Sequence, residues 1–394
     1  MNTRQATKKV PFFSRPLVPI ILWFAAALII PIVQYTKGSY NNYSIFKGAF
    51  YHLVRQHPLY ATYPEYWDTN HYGPLFGILI APFALLPDLP GMVLWSLFNT
   101  WVLFKAVQTL PLEQGQKTGI FWIGFVELTT AHHSLQINPA LTGWIILTFV
   151  FLHQRKLFWA AALPLIGFFI KLYGIVAFAI GAFEKRKGRL ALYAGIWTLV
   201  FIVAPMVISS PAFVLQSYAD WMQSLLAKND QNVLTDPLQN MQNISAMGLV
   251  SRILSWPDFP VLAILIPAAV LMLAPLLRFR QHRSKEFQMY YLSALLLSIV
   301  LFSTSSESPT YIIAVMGAAL FFVLQPRPLT KWTIALFCLM MLLTCLSPTD
   351  IFPRRIRKEV IQPYALKALP CLLIWGTVMY HLLTRKFYEP DATK

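Results

Sequence analysis

Apolar runs long enough to cross a bilayer recur along the whole chain, and they decide what it can fold into. They fall at 17–35, 91–110, 117–132, 136–153, 190–210, 259–277, 287–303, 308–325, 331–348 and 366–384. As helix, about 20 apolar residues span the ~30 Å of hydrocarbon in a typical bilayer. A chain that is 57% hydrophobic and 12% charged lacks the polar surface of a soluble domain, which averages about 45–50% apolar residues. The expected fold is an all-α polytopic membrane protein of about 10–12 transmembrane helices, a single unit over 1–394. The opening "MNTRQATKKVPFFSR" is basic, but the apolar stretch after it is longer than a signal-peptide core and no small-residue cleavage site follows, so it reads as an uncleaved anchor.

The net charge of +16 does not point to nucleic acid, because the cations are scattered in short clusters between apolar runs. Such clusters report orientation instead. With Arg4, Lys8, Lys9 and Arg15, Arg155 and Lys156, "EKRKGR", "RFRQHRSK", Arg327 and Lys331, and Arg385 and Lys386 inside, both termini are cytoplasmic. Two apolar segments must then return to the side they left: the short, proline-bounded 72–87, and 157–183, which begins and ends beside inside clusters and so must be a hairpin of two tight spans. Residues 36–90, 211–258, 304–308 and 349–365 fall on the outer face, where Arg354, Arg355, Arg357 and Lys358 break the charge rule and need a role of their own. The three cysteines form no paired framework and no CxxC.

The outer segments hold the polar chemistry. In 44–55, Ile45, Phe46, Ala49, Phe50, Leu53 and Val54 share one helical face, with Lys47, His52 and Arg55 on the other, so an amphipathic helix should lie in the interface plane. "PEYWDTNHYGPLF" follows, with Glu65 and Asp68 among aromatic rings. A carboxylate near hydrocarbon loses hydration, which raises its pKa and makes it a better base. Lys171 is the only charge in the 27-residue hairpin. A lysine in mid-membrane costs about 2.5–3.5 kcal/mol on insertion scales, so at the hairpin tip it should meet an anion. "ELTTAHHSLQIN" gathers Glu127, His132, His133, Gln136 and Asn138 at an outer helix junction. Adjacent histidines face different sides of a helix and make a poor metal pair, so a hydrogen-bonding wall is expected and no metal. "STSSESPTY" puts Glu307 on a tight outer turn, where it could equally cap a helix. The segment 211–258, with Trp221 and Arg252, looks like a mobile polar flap without strand signals. No GxGxxG, Walker loop or Ser-His-Asp spacing is present, so nucleotide chemistry has no support and no cofactor is expected.

The order of "NYSIFKGAFYHLVRQHPLY", "HYGPLFGILIAPFALLPDLPGMVLWSLFN", "LQIN", "GFFIKLYGIVAF" and "NISAMGLVSRIL" resembles glycosyltransferase family 87, the polyprenyl-phosphate-mannose-dependent enzymes of the GT-C superfamily. The resemblance covers most of 17–325. It implies a GT-C-like bundle, a polyprenyl-phosphate sugar donor with mannose as the family's sugar, a lipid or glycan acceptor, an outer-face site, and inverting transfer with an acidic base in the first outer loop. The family's opening Asp-Phe is here Asn42 and Tyr43, its Tyr-Pro-Pro is Tyr72, Gly73 and Pro74, and its late histidine is Thr310. An amide cannot usefully accept a proton, so the base passes to Asp68, then Glu65, then Glu127. Donor-binding residues are expected at Lys171, Gln136, Asn138, Glu307, Arg252, Tyr72 and His132, with the outer "RRIRK" as further cations for the leaving phosphate. Two other classes compete: a secondary transporter or flippase, which would show repeated halves with interrupted spans, and a family member without catalysis acting as a scaffold, for which Asn42 speaks.

Overall fold

Every long apolar run of the sequence is helix in the computed structural model, which describes residues 12–234 and 242–388. The basic cluster at Arg4, Lys8 and Lys9 and the stretch 235–241 of the second outer segment lie outside the described residues. The α-helices are α1 (Leu17–Thr36), α2 (Asn41–Arg55), α3 (Leu75–Ala84), α4 (Asp88–Thr109), α5 (Gln114–His133), α6 (Asn138–His153), α7 (Leu157–Lys171), α8 (Lys187–Val203), α9 (Pro211–Leu234), α10 (Ala246–Ile253), α11 (Leu262–Leu273), α12 (Lys285–Leu301), α13 (Tyr311–Val323), α14 (Lys331–Leu339), the short α15 (Arg354–Ile356) and α16 (Ala368–Thr384). No strand occurs among the described residues. The molecule is an all-α polytopic membrane protein.

Helices α6, α12 and α13 are apolar nearly all round and buried nearly all round, so they form the centre. Around them α1 packs on α4 and α5, α7 on α6 and α8, and α16 on α12 and α13. The outermost helices turn large apolar side chains outward: Leu199 of α8 is 66% exposed and Val270 of α11 is 60% exposed. In water such faces would be a liability, whereas hydrocarbon solvates them at no cost. Among the described residues only Leu17–Thr36 and Lys187–Val207 are long and apolar enough by themselves to span, and the other apolar helices run 10–17 residues. Several are lengthened by tighter or wider turns, as where α11 continues in 3-10 form over Ala274–Leu277 and α14 in π form over Met340–Leu346.

The segment 157–183 is the hairpin its charges require. Its first leg is α7, 15 residues, and its second is an 11-residue 3-10 helix, Tyr173–Phe183. At 1.5 and 2.0 Å per residue both legs are about 22 Å long, shorter than the ~30 Å hydrocarbon thickness. Leu172 makes the turn with φ 52°, and the legs touch where Gly167 and Gly174 face each other, with no room for a Cβ at Gly174 between the Pro164 carbonyl and Gly167. Lys171 therefore sits at the tip.

Two of the segments expected on the outer face differ from their sequence reading. Helix α2 does bury Ile45, Phe46, Ala49, Phe50 and Leu53, but His52 is buried too, stacked on Tyr63 at 3.8 Å, while Val54 is exposed. The expected polar flap 211–258 is largely helix: α9 occupies 24 residues, and α10 is capped by the Ser245 hydroxyl, which accepts from Gly248 N–H. What the flap reading missed is an inward stripe of Val214, Ser217, Trp221 and Asn232, all buried, at helical spacing.

The loop before α3 is tied to the hairpin by a backbone hydrogen bond at Gly73. Gly73 N–H donates to the Ile170 carbonyl (3.1 Å), and a Cβ at Gly73 would collide with the Phe169 carbonyl oxygen. A proline here, as in the family's turn, could not make this bond. Gly73→Ala should therefore cost about 1–3 kcal/mol, the usual range for forced overpacking. Thermal unfolding in detergent measures it, and an unchanged midpoint would show that the loop docks some other way.

Candidate active site at the hairpin tip

Lys171 Nζ donates to Asn138 Oδ1 (3.2 Å) and lies over the rings of Tyr72 and Tyr173, at 5.7 and 5.5 Å from their centroids. Asn138 opens α6, and its Nδ2 donates to the Pro309 carbonyl (3.1 Å). Tyr72 OH donates to Gln136 Oε1 (2.9 Å). Glu307 is the carboxylate whose field reaches Lys171, and it also holds the Tyr72 phenol, already raised by burial, further above its ordinary pKa. Five of the residues expected at the donor site, Tyr72, Gln136, Asn138, Lys171 and Glu307, thus stand together although they come from four separate stretches of chain. Two electron-rich ring faces and an amide oxygen partly offset the cost of placing an ammonium here.

A hydroxyl rim borders this cluster on the turn 303–310. Tyr173 OH hydrogen-bonds Ser303 Oγ (3.2 Å), Asn232 Nδ2 donates to Ser305 Oγ (3.2 Å), and Thr304 Oγ1 donates to Asn229 Oδ1 (2.8 Å). Glu307 also caps the short 3-10 turn Ser308–Thr310, so the capping role weighed for it is real as well. Next to the rim opens a cavity of about 820 Å³, lined by apolar side chains of α11 and α12 such as Leu265, Met272 and Ile299, and also by Tyr173, Ser303 and Thr304.

The loop between α2 and α3 covers the other side. Asp68 is half-buried and its Oδ1 accepts from Thr69 N–H (2.8 Å). Thr69 Oγ1 pairs with His71 Nε2 (3.2 Å), His71 Nδ1 with Ser224 Oγ (3.0 Å), and Trp221 Nε1 donates to the His71 carbonyl (2.9 Å), which fastens α9 to the loop. Trp67 is 83% exposed, its N–H held by Asn41 Oδ1. Asn42 Nδ2 donates to the Ser134 carbonyl (2.8 Å), two residues before Gln136.

Four expected residues sit elsewhere. Glu65 is exposed, and the groups its charge acts on are His52, Tyr63 and Tyr66, none of which touches Lys171. His132 is buried in the bundle with Nε2 on Thr100 Oγ1 (2.8 Å), because its position on α5 faces α4 rather than the cluster around Lys171. Arg252 spends its guanidinium on the Gln362 and Gln242 carbonyls, tying α10 to the segment before α16. Glu127, third in line as a base, is fully buried and paired with Lys367 at 2.9 Å. In the "RRIRK" cluster Arg355 pairs with Glu359, and Arg357 holds the Pro348 and Thr349 carbonyls. Tyr173, Ser303 and Ser224 were passed over in the sequence, although Tyr173 follows Lys171 by two positions in "IKLY".

Burial, with Lys228 and Lys171 nearby, lowers the His71 pKa to about 4 against the opposing pull of Asp68. In the unfolded chain a histidine titrates near 6.5. Between those values the unfolded state binds the proton and the folded state does not, so stability falls as pH drops from about 6.5 toward 4. His71→Asn should flatten that fall. Thermal midpoints of both proteins between pH 7.5 and 5 (range chosen to bracket about 6.5) test it, and parallel curves would remove His71 from the transition.

The profile of glycosyltransferase family 87 matches residues 70–304. That stretch holds Tyr72, Gln136, Asn138, Lys171, Tyr173 and Ser303. No curated protein matches the chain. Among solved structures, a crystal structure of ArnT from Cupriavidus metallidurans in the apo state is similar at 13% identity, over 93% of this chain and 76% of that one, with a TM-score of 0.39. The same protein bound to undecaprenyl phosphate is similar at 12% identity over the same shares, with a TM-score of 0.37. With more than half its length under the family profile, the chain belongs to glycosyltransferase family 87.

Proposed function

We propose that this protein transfers a sugar, with mannose the first candidate, from a polyprenyl-phosphate donor to a lipid or glycan acceptor, at the outer face of a bacterial inner membrane and with both termini cytoplasmic. One observation carries the donor class: Tyr173 both lines the apolar cavity and lies beneath the Lys171 ammonium. An isoprenoid chain suits the walls of α11 and α12, and the phosphate it bears would then meet a cation held by Asn138 and two rings. A lipid phosphate leaves more readily when its developing charge is met by a preorganised donor, which is the role given to Lys171.

In this scheme a carboxylate takes the acceptor's hydroxyl proton, the acceptor oxygen attacks the anomeric carbon, and the bond from that carbon to the phosphate oxygen breaks with inversion. Asp68 is assigned as the base, since it is half-buried on the loop that carries Tyr72 and its second carboxylate oxygen has no hydrogen bond among the described residues. Glu307 competes for the role because its charge reaches Lys171. Asn42, at the family's acid position, donates to a carbonyl and is given a positioning role instead.

Purified protein incubated with radiolabelled polyprenyl-phosphate sugars and a lipid extract decides the class, because a flippase or an inert scaffold releases no free polyprenyl phosphate. Lys171→Met should raise the donor KM or abolish turnover with normal expression, and an unchanged donor dependence would remove the phosphate contact. Asp68→Asn should lower kcat by about 10²–10⁴, the usual worth of a positioned base, with donor binding retained. Full activity in Asp68→Asn together with a gain in Asn42→Asp would return the base to position 42.

A further inference from the structure

The ion pair between Glu127 and Lys367 lies 240 positions apart in sequence and is almost completely enclosed, at 0% and 5% exposure of the two side chains. Its geometry exceeds what a pair needs. Lys367 Nζ meets both carboxylate oxygens, at 2.9 and 3.1 Å, and then reaches on to Ser308 Oγ at 2.8 Å and the Ser308 carbonyl at 3.3 Å. It also lies over the Tyr311 ring at 4.9 Å. An ammonium has three protons to give, and here they are divided between α5 and the turn that precedes α13. The neighbours of Ser308 on that turn are Glu307, whose field reaches Lys171, and Pro309, whose carbonyl holds Asn138.

We infer that Lys367, fixed by Glu127, is a positioning residue that sets the turn 303–310 against the hairpin tip, so that the C-terminal helix governs the geometry of the site. This rests on the donor role assigned to Lys171. The family profile ends at residue 304, so Glu307, Ser308 and Lys367 lie beyond it, while Glu127, the other half of the clamp, lies within it. A buried pair is weak evidence of stabilisation, because desolvating both charges costs about what their attraction returns. A contact that contributes little to stability but fixes one turn in place is better explained by what the turn carries. The turn has a second hold, through Ile244, whose carbonyl accepts from Ser306 Oγ and Tyr311 OH, so loss of the clamp should loosen it without unfolding it.

Lys367→Met alone strands a buried carboxylate and is expected to damage folding. The informative protein is the double variant Glu127→Gln, Lys367→Met, which removes both charges at nearly constant volume. It should unfold at a midpoint close to that of the unaltered protein, yet amide exchange over 303–310 should rise about tenfold, and kcat should fall by about 10²-fold, as for misplacement of a catalytic group by about 1 Å, with donor KM little changed. Exchange as slow as in the unaltered protein, or kcat restored along with stability, would overturn the clamp. If the unaltered protein releases no polyprenyl phosphate at all, it is the donor reading that fails, and the exchange arm still decides whether Lys367 holds the turn.

Discussion

A lone ammonium at the tip of an apolar hairpin is the constraint to which this end of the molecule answers. The hairpin legs are too apolar to hide a charge and too short to carry it through the membrane, so Lys171 arrives where other elements must solvate it. Asn138 does so from the start of α6, Tyr72 from the first outer loop and Tyr173 from the second leg. Each partner is then fixed in turn: Asn138 by the Pro309 carbonyl, Tyr72 by Gln136, Tyr173 by Ser303. The polar network therefore grows outward from one costly group, and it ends where α9 lays its inward stripe over the loop and the turn.

Much of this was legible in the sequence because a bilayer imposes a length. Each of the ten long apolar runs is helix, and the charge clusters at both ends of 157–183 were enough to require the hairpin. Lys171, Gln136 and Asn138 could be read because a polar residue in or beside an apolar run is expensive and so conspicuous. The second outer segment was misread for the opposite reason. On α9 the inward stripe changes from the buried Val214 and Trp221 to the half-buried Ser224 and Lys228 and the buried Asn232 toward its end, so the inward face is polar where it meets the site and hydrophobic periodicity fades where the helix matters most. His132 shows a further limit: its histidine pair could be counted, but which side of α5 faces α4 depends on packing that the sequence does not display.

Lys367 was the least legible residue of all. It stands at the head of a C-terminal run read only as a span, and nothing local marks it as the partner of Glu127. The two meet only because α16 packs against α12 and α13 while α5 packs against α13, so the pair is a product of the assembled bundle. The same holds for Arg252, which looked like a ligand-binding cation and instead closes two backbone carbonyls. Position in the folded chain, and not residue type, separates the cation at the hairpin tip from the one already spent on backbone carbonyls.

The cavity beside Tyr173 has the buried α12 on one side and, on the other, α11, whose outer face carries the exposed apolar side chains Leu262, Ile266 and Val270. If the lipid-phosphate donor proposed above is the ligand, it arrives by lateral diffusion within a leaflet. Its effective concentration is a mole fraction of the lipid, set by the area of membrane and its composition, and dilution of the surrounding buffer leaves it unchanged. Saturation of such a site follows how crowded a leaflet is with one kind of lipid, and a detergent micelle, by diluting that lipid among carriers, acts on it as a competing solvent would.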